Sequence, residues 1–133
     1  MANSDVTIRS ANAAAAKEIK ASAHYTYITN GITLDGSKFA AGELVTEGQC
    51  LVKDNTTGKY EKYSETTPGT FEPGKSEPVI LDESVKFTLT DAGANPDLTA
   101  GQVLVHGAVY TSMLAGVTTE FKKALAGSIR FVG

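Results

Sequence analysis

From residue 24 onward, apolar positions recur mostly at every second residue, the period of a β-strand. The longest such run is 102–111. Val103, Val105, Gly107 and Val109 fall on one side of it, and Leu104, His106, Ala108 and Tyr110 on the other. Both sides carry apolar groups, which predicts a strand that is central or covered on both faces. Residues 43–53 alternate in the same way, with Leu44, Thr46, Gly48, Cys50 and Val52 opposing Val45, Glu47, Gln49, Leu51 and Lys53. Shorter β segments follow at 25–28, 32–34, 59–63, 78–81, 85–89 and 129–131. Tyr60 and Tyr63 are three apart, so they share a side only if a bulge intervenes.

Turn residues punctuate these runs. Asn30-Gly31 is a strong hairpin signal because both residues tolerate positive φ. Asp35-Gly36 and 54–58 also read as turns. Pro68-Gly69 and Pro73-Gly74 mark 64–76 as an exposed loop, and 91–96 is a second long turn. One helix is expected near the C-terminus. Thr118 or Thr119 caps it, Glu120 sits in its first turn, and Lys122 and Lys123 sit nearer its end, as the helix dipole prefers. Phe121 and Leu125 share its buried side, and Gly127 can stop it.

The first 23 residues are different. They are rich in alanine, and Ile8 and Ile19 are their only large apolar residues besides Met1 and Val6. A helix here would bury little and be marginal alone. The division expected is an N-terminal arm, 1–23, disordered when free, and one β-rich domain, 24–133. Within the arm, 6–9 is a strand seed able to add to another chain's sheet edge. The expected fold is mostly β: a small barrel- or sandwich-like domain with one or two short helices.

Composition narrows the function. The 133 residues suffice for one domain that buries about two thirds of its surface. Twelve basic and fifteen acidic residues give a net charge of −3, which argues against a protein that coats nucleic acid. No run approaches the roughly 18 apolar residues of a membrane span, and no secretory signal is visible at the start. The single cysteine, Cys50, excludes an internal disulfide. Synthesis in the cytoplasm is the simplest expectation.

Catalytic signals are weak. His24 and His106 are far apart in sequence, and His106 reads as a packed core residue. Cys50 reads as a buried structural thiol. Glu72, Glu77, Asp82 and Glu83 read as a solvated acidic surface, and Asp91, Asn95 and Asp97 as a polar loop without EF-hand spacing. The glycines lack phosphate-loop spacing. Tyr25, Tyr27, Tyr60 and Tyr63 lack a basic groove, so they are expected in the core or at an interface rather than stacking on bases. No enzyme activity, metal or cofactor is expected.

The order of several short segments carries a resemblance. Leu44-Val45 and Leu51-Val52 lead to Gly58-Lys59-Tyr60 and then to Glu77-Pro78-Val79-Ile80-Leu81. The stretch Val103-Leu104-Val105-His106-Gly107-Ala108-Val109 follows, and the chain closes on Ile129-Arg130-Phe131-Val132. Over about residues 30–133 this resembles the bacteriophage head decoration proteins, the lambda-like capsid cement proteins. The Thr66–Lys75 and Asp91–Asp97 loops look longer than that family's minimal core. The resemblance implies a non-enzymatic virion protein. It would sit as a homotrimer on the outer surface of the expanded capsid, at three-fold positions, and brace the major capsid protein against the pressure of packaged DNA. The arm would order on the capsid, with Thr7, Ile8 and Arg9 as contacts and Val6 and Ile19 as apolar anchors. No nucleic acid or membrane partner is implied. On this reading, deleting residues 1–20 leaves the core folded. The alternative is another virion structural module, such as a head-fibre or tail-associated protein.

Overall fold

In the computed structural model, which describes residues 18–133, the sheet is organised around its longest strand, Val103–Tyr110. In chain order the described strands are β1 (Thr26–Tyr27), β2 (Ile32–Leu34), β3 (Leu44–Val45), β4 (Cys50–Asp54), β5 (Tyr60–Lys62), β6 (Lys75–Leu81), β7 (Val85–Lys86), β8 (Leu98–Ala100), β9 (Val103–Tyr110) and β10 (Ile129–Val132). One α-helix, α1 (Thr119–Ala124), lies between β9 and β10. Eight strands form one sheet in the order β1-β9-β6-β4-β5-β2-β8, with β10 added parallel to β9; β3 and β7 pair separately. The domain is therefore a small, mostly-β, curled half-barrel with one short helix.

The curl has a visible cause. Asn30 and Gly31 both adopt positive φ, at 70° and 71°, as the dipeptide predicts. The strands on either side of this turn do not pair with each other, however, so the expected hairpin is absent. Instead, β1 and β2 follow β9 and β8 as one bent antiparallel ribbon. Thr26 pairs with His106, Tyr27 with Leu104, Ile32 with Ala100 and Leu34 with Leu98. The two halves of this ribbon stand near opposite ends of the strand order, and the sheet curls to bring them together. Gly31 lies at the bend. A β-carbon there would come within 2.3 Å of the Ala100 carbonyl oxygen, so contact as well as φ demands glycine.

The sheet is covered on both faces. Leu51, Tyr60, Val79, Leu81 and Val103 pack inside the curl with Ile32, Leu34, Phe39, Val45 and Phe87. Their neighbours in sequence, Cys50, Val52, Ile80 and Leu104, pack on the other side with Tyr63, Phe121, Leu125 and Ile129. Tyr60 and Tyr63 are thus both buried, on opposite faces. No bulge is needed to hide both, because both faces are dry. The alternation in 43–53 keeps its phase but not its continuity, since residues 46–49 turn between β3 and β4.

The phase within β9 does change. One step along β1, from Thr26 to Tyr27, matches two steps along β9, from His106 to Leu104, which marks a bulge. Gly107 follows with φ of 149°. Val109 consequently packs with Leu104 rather than with Val103, and His106 is exposed rather than part of the core.

The helix forms as its sequence predicts. Thr118 Oγ1 accepts a hydrogen bond from the Phe121 N–H at 3.1 Å, Phe121 is fully buried, and Lys122 and Lys123 lie in the last turn. The N-terminal boundary falls earlier than expected. Ile19 is fully buried with Phe121 and Leu125, and Lys20 bridges antiparallel to Val109. The packed unit therefore begins at Ile19, with residues 19–21 laid against β9, and removing residues 1–20 would open its core. Gly31 and Gly58 separate the two demands on glycine, since both have positive φ but nothing lies within 4 Å of a β-carbon at Gly58. Gly58→Ala is expected to cost about 1–2 kcal/mol from backbone strain alone. Gly31→Ala should cost clearly more, as a leftward shift of the urea midpoint relative to Gly58→Ala; equal midpoints would remove the close contact from the explanation.

Candidate functional site

Residues 18–21 form a strap across the second half of β9. The Tyr110 N–H donates to the Ile19 carbonyl and the Ala21 N–H to the Ala108 carbonyl, each at 2.8 Å. Ile19 enters the outer core, while the side chain of Lys20 runs to Asp82, just past the end of β6. Lys20 Nζ donates to Asp82 Oδ2 at 2.6 Å, and the Tyr27 hydroxyl donates to the same oxygen at 2.5 Å. The Glu18 carboxylate lies 3.0 Å from Lys20 Nζ and also accepts from the Lys20 backbone N–H.

Asp82 is only 5% exposed, and these hydrogen bonds satisfy its buried oxygen. Burial opposes the charge on Lys20, but the hydrogen bonds to Asp82 and Glu18 outweigh it, and its pKa is raised. Burial and the bond to Asp82 together raise that of Tyr27. The backbone and side-chain bonds from Lys20 lower that of Glu18. Lys20 Nζ also stands 4.8 Å from the centre of the Tyr25 ring, whose centroid is 5.1 Å from that of Tyr27. One buried carboxylate thus holds a lysine, a tyrosine and, through the lysine, a second aromatic ring.

An open groove of about 470 Å³ runs beside the strap, lined by Glu18, Lys20, Ala21, Ser22, Ala23, Tyr25 and Tyr110. Tyr25 and Tyr110 are 42% and 41% exposed. Two aromatic rings, three small residues and the charged Glu18 and Lys20 share this lining, so it is of mixed polarity.

His24 and His106 are both exposed, and the fold makes their backbones neighbours. His106 pairs with Thr26, and a β-carbon on Gly107 would lie 3.3 Å from the His24 carbonyl oxygen. Among the described residues no group of three or more His, Cys, Asp or Glu side chains is placed to hold a metal ion. Cys50 is fully buried, and burial pushes its thiol up to about 12.

The four carboxylates expected on a solvated surface each bind a specific partner. Glu72 accepts from the backbone and hydroxyl of Thr66, both at 2.7 Å, and Glu83 from the N–H groups of Gly101 and Gln102, both at 2.9 Å. Glu77, at φ 50° beside a register shift between β4 and β6, pairs with Lys53. Asp82 is buried, which overturns the surface reading for that residue. In the 91–97 loop, Asn95 Oδ1 accepts from the Gly42 N–H at 2.8 Å, while its Nδ2 donates to the carbonyl of Ala40 at 2.9 Å. Asp97 binds the Gly36 N–H at 3.0 Å and Lys59 at 2.7 Å. These residues clasp the loop to 36–42.

Of the expected capsid contacts, Val6, Thr7, Ile8 and Arg9 lie outside the described residues. Ile19 lies in the chain's own core, where its side chain offers no outward surface. The strap's lock to Asp82 went unread in the sequence because 62 residues separate Lys20 from its partner. An acidic residue directly after the apolar run Val79-Ile80-Leu81 was the available signal.

Replacing Asp82 by Asn leaves Lys20 facing a neutral amide. Breaking a buried pair from one side costs about 3–5 kcal/mol, and the partial exposure of Lys20 places this case at the low end. Tryptic cleavage after Lys20 should quicken by at least about tenfold in Asp82→Asn; an unchanged rate would show that the pair does not hold the strap. Alkali provides a second test. Raised folded-state pKa values for Lys20 and Tyr27 contribute stability that is complete below their unfolded values, near 10, and is lost as pH rises through the folded ones. The stability difference between the parent and Tyr27→Phe should hold from pH 7 to about 9.5 and shrink above about 10. A difference that stays constant to pH 11 would contradict the assignment.

Comparisons of the chain with protein-family models, with curated proteins and with solved structures gave no match.

Proposed function

We propose that the chain is a non-enzymatic capsid decoration protein. It binds the outer surface of the expanded phage head as a homotrimer at three-fold positions, and it stabilises the major capsid protein lattice against internal DNA pressure. The observation that supports this reading is an adjacency. The two segments that carry the resemblance most sharply, 103–109 and Ile129–Val132, are neighbouring strands, with Ile129 opposite Gly107 and Phe131 opposite Val109. The strap that continues into the N-terminal arm pairs with the same part of β9. Three pieces of chain far apart in sequence are therefore joined on one strand.

The division of labour follows from that placement. Val6, Thr7, Ile8 and Arg9 remain the proposed shell contacts, able to add as a strand to a sheet edge of the shell protein. Ile19 takes a different part from the one its sequence position implied: it fixes the root of the arm to the domain. A site of modest affinity suffices, because many copies act on one lattice and each arm that binds raises the local concentration of its own domain.

Co-sedimentation with expanded and unexpanded capsids stripped of accessory protein tests the reading. Saturable binding to the expanded form alone is expected, with a stoichiometry of three copies per three-fold position. Deleting residues 1–17 should weaken binding about tenfold or more while leaving the far-ultraviolet spectrum unchanged, because the strap is retained. Absence of binding to either form would overturn the capsid role; equal binding to both would remove the preference for the mature lattice.

A further inference from the structure

We propose that Lys20 and Asp82 form a self-modification site, at which the lysine Nζ condenses with the Asp82 carboxyl to make an isopeptide bond between the strap and the residue that follows β6. The inference is independent of the capsid reading, since every group it uses belongs to the described domain. It rests on the contact between amine and carboxylate, on the burial of both, and on two further polar groups held at the reacting atoms.

Lys20 Nζ lies 2.6 Å from Asp82 Oδ2, so the carboxyl carbon is at most one carbon–oxygen bond, about 1.2 Å, farther away. Attack on that carbon needs little motion of either side chain. The Tyr27 hydroxyl donates to the same Oδ2, where negative charge gathers as nitrogen adds to the carbon. The Glu18 carboxylate, 3.0 Å from Nζ, is placed to take a proton from the ammonium and free its lone pair.

The step balances without an added reagent. The ammonium carries three protons, of which one stays on the amide nitrogen. The other two pass to Asp82 Oδ1, one of them by way of Glu18, and Oδ1 leaves as water. The Nζ–Cγ bond forms and the Cγ–Oδ1 bond breaks. Nothing is oxidised or reduced, and the pair is neutral overall before and after.

Burial gives the step its direction. The Lys20 and Asp82 side chains are 15% and 3% exposed. Two charges held out of water carry a desolvation penalty that a neutral amide does not. The fold also keeps together two groups 62 residues apart, which makes their encounter intramolecular. The hydrogen bonds that raise the pKa of Lys20 keep the free amine scarce, so the linkage forms slowly after folding. Lys59 and Asp97 are almost as close, at 2.7 Å, but each is 40% exposed, and that pair is expected to stay ionic.

Intact-mass measurement and peptide mapping of the full chain, followed over several days at neutral pH, test the proposal. The parent should become lighter by one water molecule. Lys20→Arg, which keeps the charge, should not. Trypsin should fail to cut the linked chain after Lys20 and should release residues 18–38 joined to residues 76–86. Glu18→Gln alters an exposed side chain and should leave the fold intact while slowing the linkage at least about tenfold. Linkage at the parental rate in that variant would overturn the role of Glu18. A parent mass that never changes overturns the proposal. So does a loss of water that persists in Lys20→Arg or maps elsewhere, such as to Asp35-Gly36.

Discussion

The structure depends on keeping the central sheet dry on both faces. β4, β6 and β9 carry apolar side chains at consecutive positions, as in Leu51-Val52, Val79-Ile80-Leu81 and Val103-Leu104. A flat sheet with such strands would leave one face in water, at about 25 cal/mol for each Å² of apolar surface exposed. Curling solves half the problem, because the concave face then packs against itself. The convex face needs a separate cover, and it draws one from three places: the helix through Phe121 and Leu125, the terminal strand through Ile129, and the strap through Ile19. Residues at the start of the described chain are thus a necessary part of the outer core.

This constraint explains what was legible in the sequence. Local features could be read because their causes are local. The Thr118 cap, the polarity of α1, the positive φ at Asn30-Gly31 and the burial of Cys50 each follow from a few neighbouring residues. The mostly-β class could be read because alternation is a property of single strands. Pairing could not, since nothing near Asn30-Gly31 states that β1 and β2 will follow β9 and β8 instead of each other. Phase failed for a related reason. A single extra residue at the β9 bulge reverses every side chain beyond it, which moves Val109 to the outer core and His106 to the surface.

The polar residues show the same division between local and distant causes. Taken singly, the acidic residues of 72–83 look like solvent-facing charge, and Glu72 does satisfy a nearby partner, Thr66. Asp82 differs because its partners come from residues 20 and 27. Buried ion pairs contribute little net stability, since desolvation offsets most of the attraction. They do discriminate strongly between arrangements, because any other placement of the strap would leave Asp82 buried without its cation. The pair fixes where the strap lies more than how stable the domain is.

That distinction joins the fold to the proposed function. An arm that grips a lattice gains from being attached at a defined point, because uncertainty in its root adds to the entropy lost on binding. Here the root is fixed three times: by Ile19 in the core, by backbone hydrogen bonds to β9, and by Lys20 on Asp82. The same lysine stands over Tyr25 in the lining of the groove, so the path of the strap and the placement of that ring depend on one carboxylate. On the proposed reading, a domain built in this way would hold the root of its arm at a constant offset from the sheet. A constant offset suits a partner that repeats on a regular shell, where every copy must meet the same spacing.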